Sequence, residues 1–321
     1  MGIAVTPFAS PALSAVGLRK AFGPLIVLDD IDLEVPTGTV FSLLGPNGAG
    51  KTTTVQILST RIPADAGQVA VGGHDLRREP DLVRAAIGVT GQFSAVDNLL
   101  TGQENLILMA DLHHLDRGVG RRRSAELLDR FDLVEAATKT ASTYSGGMRR
   151  RLDLAMTLVG DPSIIFLDEP TTGLDPRSRR SVWQIIRDLV AGGVTIFLTT
   201  QHLEEADQLA DRIAVLDQGK LVAQGTPDQL KAMIPGGHVR LQFADASGLE
   251  SAARSLGAVS RHDDGLVLQV PNDGSVRSLK VLLDRLADHS IEVDGFSVHT
   301  PDLDDVFLAV TGHHRHQEVA I

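Results

Sequence analysis

Gly45-Pro46-Asn47-Gly48-Ala49-Gly50-Lys51-Thr52 is one unbroken G-x-x-x-x-G-K-[ST] element. Ahead of it, Thr39-Val40-Phe41-Ser42-Leu43-Leu44 is β-branched and apolar enough for a buried strand; behind it, Thr52 to Leu58 carries no breaker and reads as a helix. Glycines let the backbone wrap a polyphosphate and turn successive N–H groups toward it, and a helix start adds partial positive charge. Lys51 can reach the outer phosphates, and the Thr52 hydroxyl can ligate Mg²⁺. Strand, glycine loop and helix in this order imply an α/β core that binds a nucleoside triphosphate.

Working outward, a chain of 321 residues with a hydrophobic share of 43% has room for one large domain and an appendage. Thirty Lys and Arg against 41 acidic residues give a formal charge of −11, which disfavours a nucleic-acid surface. The lack of cysteine excludes disulfides, thiol catalysis and cysteine-ligated zinc. No apolar run approaches the roughly eighteen residues of a membrane span, and Pro7 and Pro11 interrupt the N-terminal apolar stretch, which has no basic region as a signal peptide would. Met1 to Thr6 fits the loose myristoylation pattern, but an unmodified arm is the simpler expectation. Membrane association would then come through a partner.

Residues 1–12 read as a flexible arm. From 13 to 235, strand and helix patterns alternate, as a mostly parallel sheet requires. Ile164-Ile165-Phe166-Leu167 and Val194-Thr195-Ile196-Phe197-Leu198 are further buried strands, and residues 93–143 turn helical, an insertion between strands. Pro235-Gly236-Gly237 marks a boundary to an α/β appendage over 236–312. Its expected elements are a strand at His238–Ala244, a helix at Gly248–Leu256, a strand at Gly265–Val270, a helix at Ser275–Ala287, a strand at Ile291–Val298 and a helix at Leu303–Val310. The tail, 313–321, contains His313, His314 and His316 at no metal-binding spacing.

Asp168-Glu169, closed by Pro170, ends the second buried strand, where ligands bind parallel sheets. Asp168 can hold Mg²⁺, and Glu169 can orient or deprotonate a water in line with the γ-phosphate. Farther back, Tyr144-Ser145-Gly146-Gly147-Met148 opens a helix with Ser145 as N-cap and two glycines that leave N–H groups bare. One γ-phosphate needs no second anion-binding helix start on its own subunit, so this surface suits either a partner's nucleotide or no ligand at all, as an ordinary capped helix. The following Arg149-Arg150-Arg151 reads as a solvated helix face.

These motifs together resemble the ATP-binding subunits of ABC transporters over residues 13 to 230. The resemblance assigns Walker A to Gly45–Thr53, including Thr53, a Q-loop glutamine to Gln92, the signature to Ser145-Gly146-Gly147, Walker B to Ile164–Glu169 and a D-loop to Gly173-Leu174-Asp175. It implies a mostly parallel core sheet, an antiparallel N-terminal β part and a helical insertion. It also implies two ATP molecules sandwiched between two copies, each held by Walker A of one and the signature of the other. Phe22 matches the adenine-stacking aromatic, though it would also serve as the core of an early hairpin. Gln92 matches the residue that touches Mg²⁺, beside Thr52 and Asp168, and relays nucleotide state to the membrane domain.

The finer resemblance is to the daunorubicin-resistance type, which serves ABC-2-type exporters. It rests on Tyr144 to Arg151, Asp168 to Arg179, Thr199-Thr200-Gln201-His202-Leu203-Glu204-Glu205-Ala206-Asp207, and an appendage ending in Leu303 to Gly312. It implies ATP hydrolysis that powers export of a drug, antibiotic or lipid, at the cytoplasmic face of the membrane, through a multi-span ABC-2-type permease. Gln201 stands where most relatives have a catalytic histidine, and His202 follows. Successive side chains at a strand end point to opposite sides, which puts Gln201 on the γ-phosphate unless the backbone bulges and lets His202 take over. A non-transport ATPase, regulatory or ribosome-associated, is the rival reading; one Walker A and an acidic chain speak against the ribosome.

Overall fold

The computed structural model describes residues 11–91, 95–234, 237–257, 260–262, 266–272, 275–299 and 301–315. In chain order, β1 (Leu13–Phe22) and β2 (Leu25–Val35) form a hairpin, and β3 (Val40–Leu44) leads into α1 (Lys51–Leu58). Next come β4 (Ala66–Val71), β5 (His74–Asp75), α2 (Pro80–Ala86) and β6 (Ile87–Thr90). The helical insertion holds α3 (Gly102–Leu112) and α4 (Arg117–Arg130), and α5 (Gly146–Thr157) returns to the core. Then β7 (Ile164–Asp168), α6 (Pro176–Ala191), β8 (Thr195–Thr200), α7 (Leu203–Leu209), β9 (Arg212–Asp217), β10 (Lys220–Gly225) and α8 (Pro227–Ala232) follow.

Two sheets result, one antiparallel in the order β2-β1-β4-β5 and one six-stranded in the order β10-β9-β3-β8-β7-β6. In the second, β9, β3, β8, β7 and β6 are mutually parallel and only β10 runs against its neighbour. Every residue of β3, β7 and β8 is buried, because helices or the other sheet cover both faces; such strands read as unbroken apolar runs. On the side of α1, Phe197 stacks on Phe41 with centroids 5.5 Å apart and meets Phe166 tilted at 5.6 Å, linking three of these strands. Leu152, Leu154, Ile165, Leu167, Trp183 and Ile186 fill the other side.

The register decides function. Leu44 pairs with Thr200, and Asp168 with Thr199, so the carboxyl ends of β3, β7 and β8 lie side by side. The glycine loop, Asp168-Glu169 and Gln201 all begin at that edge, where open α/β sheets take ligands.

In the insertion, Thr101 and Glu104 make a reciprocal capping box at α3. Tyr144 is buried, and its hydroxyl donates to the carbonyl of Ala136 at 2.7 Å. A side chain at Gly102 would meet that hydroxyl at 2.2 Å, so glycine is required there.

Contacts divide the chain into Met1–Pro227 and Asp228–Ile321. Of the expected boundary, Pro235 and Gly236 lie outside the described residues. The second unit holds β11 (His238–Gln242), α9 (Ala246–Leu256), β12 (Ser260–His262), β13 (Val267–Pro271), α10 (Val276–Asp288), β14 (Gly295–His299) and α11 (Leu303–Arg315). Its antiparallel sheet, β12-β13-β11-β14, and helices α9 and α10 enclose Val239, Leu241, Leu249, Leu268, Leu282 and Leu286. The three residues of β12 are too few to show a period, which is why the sequence pattern passes over them.

Candidate nucleotide site

Gly48 and Gly50 take φ of 82° and 110°, a region that only glycine enters without strain. Gly50 faces a second demand: a side chain there would meet Leu28 at 2.7 Å and the Val27 carbonyl at 2.9 Å. Asn47, Ala49 and Thr53 complete the loop and the first turn of α1. Lys51, only 5% exposed, donates through Nζ to the carbonyls of Gly45 at 2.8 Å and Pro46 at 3.0 Å, and lies 3.6 Å from Glu169 Oε1. Burial pushes its ammonium below the usual lysine range, opposed by the Glu169 and Asp168 carboxylates. The cation is thus aimed by the loop that would wrap the phosphates.

Asp168, at the last position of β7, is buried; its Oδ1 accepts from Thr199 Oγ1 at 2.5 Å and from Thr52 Oγ1 at 3.4 Å. The neighbouring Glu169 adopts φ of 49°. Its backbone N–H donates to both the carbonyl and the hydroxyl of Thr199, at 3.1 Å each, and Pro170 disfavours a right-handed helical conformation before it. A left-handed glutamate is a strained arrangement of the kind that gathers at reactive sites. Its Oε2 accepts from Thr172 Oγ1 at 3.2 Å, which leaves the carboxylate beside Lys51. Thr199 binds the Asp168 carboxylate and the Glu169 backbone, a role that the sequence shows only as a polar strand end.

Ser145 caps α5 by accepting from Met148 N–H at 3.2 Å, and Ser145 and Gly146 are exposed. A side chain at Gly147 would meet Ser178 Oγ at 2.5 Å, so glycine lets the start of α6 approach. Asp175 caps that helix, accepting from the N–H groups of Arg177 and Ser178 and from Ser178 Oγ at 2.6 Å. The Ser178 hydroxyl holds the Asp175 carboxyl below the usual range. The Ser145–Gly147 turn and the Asp175-capped start of α6 therefore pack against each other.

Arg149–Arg151 does not form the solvated face expected. Arg150 and Asp153 pair at 3.0 Å with side chains 11% and 2% exposed, and Arg151 binds the carbonyls of Phe131 and Asp132 and the Asp132 carboxylate. Arg150 also donates to the Gly91 carbonyl at 3.5 Å, and Asp153 accepts from Ala95 N–H at 3.1 Å. A period of 3.6 assigns faces only when the helix has one wet side, and α5 is packed against other elements around much of its surface. Asp153→Ala, which strands a buried arginine, should cost about 3–5 kcal/mol, read as a lower urea midpoint. Asp153→Asn should cost less, since its amide oxygen still accepts from Ala95.

Gln92 lies outside the described residues. Phe22 ends β1 and is 51% exposed, so it is not a core residue of the hairpin. Gln201 and His202 are both half-buried in the bend after Thr200; His202 is the residue before α7, and its N–H donates to Thr200 Oγ1 at 2.9 Å. Because β8 stops at Thr200, strand alternation does not govern the pair as the sequence reading assumed. Gln201 directly follows Thr200, whose carbonyl accepts from Gly45 N–H at 3.2 Å, and so adjoins the loop. Gln201→Ala should lower turnover by about one to two orders of magnitude if it loses bonds of about 1.5–3 kcal/mol to charged phosphate. His202→Ala should do much less. A larger loss from His202→Ala in steady-state ATPase would make the histidine the phosphate sensor.

A glycine loop feeding a helix, an acid pair at the end of β7, and a serine-capped glycine helix start around a parallel sheet define an ATP-binding cassette. Residues 28–172 match the ABC transporter family, and residues 225–311 match the family described as ATP-binding protein DrrA1-3-like, C-terminal domain. The daunorubicin resistance ATP-binding protein DrrA3 of Streptomyces coeruleorubidus is 47% identical, covering 96% of this chain and 98% of its own length. The linearmycin resistance ATP-binding protein LnrL of Bacillus subtilis is 34% identical over 94% of this chain and 98% of its own. A solved ATP-binding subunit of an ABC transporter superposes with a TM-score of 0.62 at 26% identity, covering 69% of this chain and 92% of that one.

The chain belongs to the daunorubicin-resistance type of ABC transporter ATP-binding subunit. It binds and hydrolyses ATP as the energising subunit of an exporter, and nothing supports the regulatory or ribosome-associated alternative. Among the described residues, no helix is long and apolar enough to cross a membrane.

Proposed function

We propose that two copies of this chain close around two ATP molecules and drive an ABC-2-type permease at the cytoplasmic face of the membrane. The observation that carries this reading is the split of the machinery. Lys51, Asp168 and Glu169 converge at the strand ends, while Ser145 and Gly146 present a second anion-binding helix start outward. In this reading Gly45 to Thr53 and Lys51 of one copy hold the triphosphate, Phe22 stacks on adenine, and Ser145, Gly146 and Gly147 of the other close over the γ-phosphate.

No group of three or more His, Cys, Asp or Glu among the described residues could hold a metal alone. The Thr52 hydroxyl beside the Asp168 carboxylate does suit Mg²⁺, a hard cation that keeps few protein ligands and shares the rest with phosphate. Thr52 and Asp168, with Gln92, would hold it, and it would neutralise charge on the β- and γ-phosphates. Glu169 takes the proton of a water that attacks the γ-phosphorus in line, and ADP departs as the bond to its β-phosphate oxygen breaks. Gln201 donates to the γ-phosphate, and Asp175, through Ser178, supports the signature turn of its own copy.

The cargo we infer is a drug or antibiotic, in keeping with relatives named for daunorubicin and linearmycin resistance. Co-expression with a permease should move the chain to the membrane fraction, raise its ATPase and lower cellular daunorubicin, with all gains in turnover and efflux lost in Glu169→Gln. ATPase and fractionation indifferent to the permease would overturn the proposal.

A further inference from the structure

Lys20 is 8% exposed, an unusual burial for a lysine, and it sits two residues before Phe22 at the irregular end of β1. Its ammonium lies over the Phe22 ring, 5.2 Å from the centroid, within cation–π range. Asp65 holds it there. One carboxylate oxygen of Asp65 is 2.8 Å from Lys20 Nζ, and the other accepts from the Ala21 N–H at 2.7 Å. The Asp65 backbone N–H donates to the Arg19 carbonyl at 3.0 Å. Three bonds from one residue therefore fix the strand from Arg19 to Ala21, where the β1–β2 pairing is irregular and ladder bonds alone define it poorly.

We propose that Lys20 and Asp65 brace Phe22 as a one-sided platform for the nucleotide base and so help set affinity for ATP. The proposal rests on the reading of Phe22 as the adenine contact. The chemistry follows from the ring quadrupole. A cation on one face draws π-density toward itself and leaves the opposite face less negative, which eases stacking of an electron-rich purine. The same contact restrains the exposed ring before the base arrives, so less side-chain freedom is lost on binding. Mere packing would be served by an aliphatic residue; a buried ammonium with its own carboxylate adds charge and direction. Lys20 and Asp65 are positioning residues here, since neither is placed on the nucleotide.

The test separates base from phosphate and brace from platform. Lys20→Met keeps the stem and removes the charge; it should raise the KM for ATP about two- to five-fold. It should leave kcat and inhibition by inorganic tripolyphosphate unchanged, a split that general loosening would not produce. Asp65→Asn should act in the same direction, and Lys20→Arg should restore most of the affinity. Phe22→Ala should have the larger effect, and adding Lys20→Met to it should change nothing more. Asp65 is half-exposed, so Asp65→Asn carries the test if Lys20→Met does not fold. If Phe22→Ala raises KM while Lys20→Met and Asp65→Asn do not, the brace is wrong and the platform stands. If Phe22→Ala leaves KM unchanged, the stacking reading fails and takes the brace with it. Equal loss of ATP and tripolyphosphate binding would make Lys20 a structural residue and overturn the proposal.

Discussion

Glu169→Gln leaves ATP affinity nearly intact and lowers turnover by about a hundred-fold or more, the loss expected when a general base is removed. The amide keeps the size of the side chain and can still accept from Thr172 Oγ1, so the segment after β7 should stay in place. It cannot take a proton from water. The change also removes one of the negative charges beside Lys51, whose ammonium remains held by the carbonyls of Gly45 and Pro46. Binding should therefore survive while chemistry fails, and ATP-bound dimer should accumulate, visible as a doubled mass in light scattering. Parental turnover in Glu169→Gln would remove Glu169 from the mechanism.

Lys51→Ala and Ser145→Arg subunits, each expected to be nearly inactive alone, should recover ATP-dependent dimerisation when mixed. In a mixed dimer of the proposed kind, one composite site carries both lesions and the other carries neither. Lys51 and Ser145 belong to different helix starts, α1 and α5, so the two lesions do not share a local fold. Ser145→Arg removes the cap that binds Met148 N–H, and its cost should be about 1 kcal/mol of helix stability, too little to unfold the domain. Intact dimer with partial turnover in the mixture, and in neither parent, is the expected result. ATPase that stays first-order in monomer, with no dimer at any ATP concentration, would sink the sandwich.

Much of this site was legible before any coordinates. The G-x-x-x-x-G-K-[ST] element specifies a loop because only glycine accepts the backbone at Gly48 and Gly50, and that constraint is written residue by residue. Buried parallel strands are uniformly apolar, so β3, β7 and β8 stand out, and with them the acids that follow β7. Ser145 as N-cap is equally local, since a cap is a contact between near neighbours in the chain.

What escaped the sequence depends on residues far apart. The Arg150–Asp153 pair is local in spacing, yet only packing around α5 makes it buried rather than solvated. Thr199 joins Asp168 and Glu169 through the β7–β8 register. Glu205, ordinary in sequence, is buried and accepts from Thr171 and Trp183. Strand alternation fails at Gln201 and His202 because β8 already ends at Thr200, and a strand's last residue is set by its partners and by the helix that follows.

The sequence by itself determined the P-loop, the order of the strands that carry the acids, the capped signature helix and the family, because each depends on backbone conformation or near-neighbour spacing. Tertiary structure alone decided which charges are buried, which threonine holds the acids, and that Lys20 lies over Phe22 with Asp65 behind it. Those outcomes depend on register and burial, through which residues tens or hundreds of positions apart come within hydrogen-bonding distance, and no local pattern encodes them.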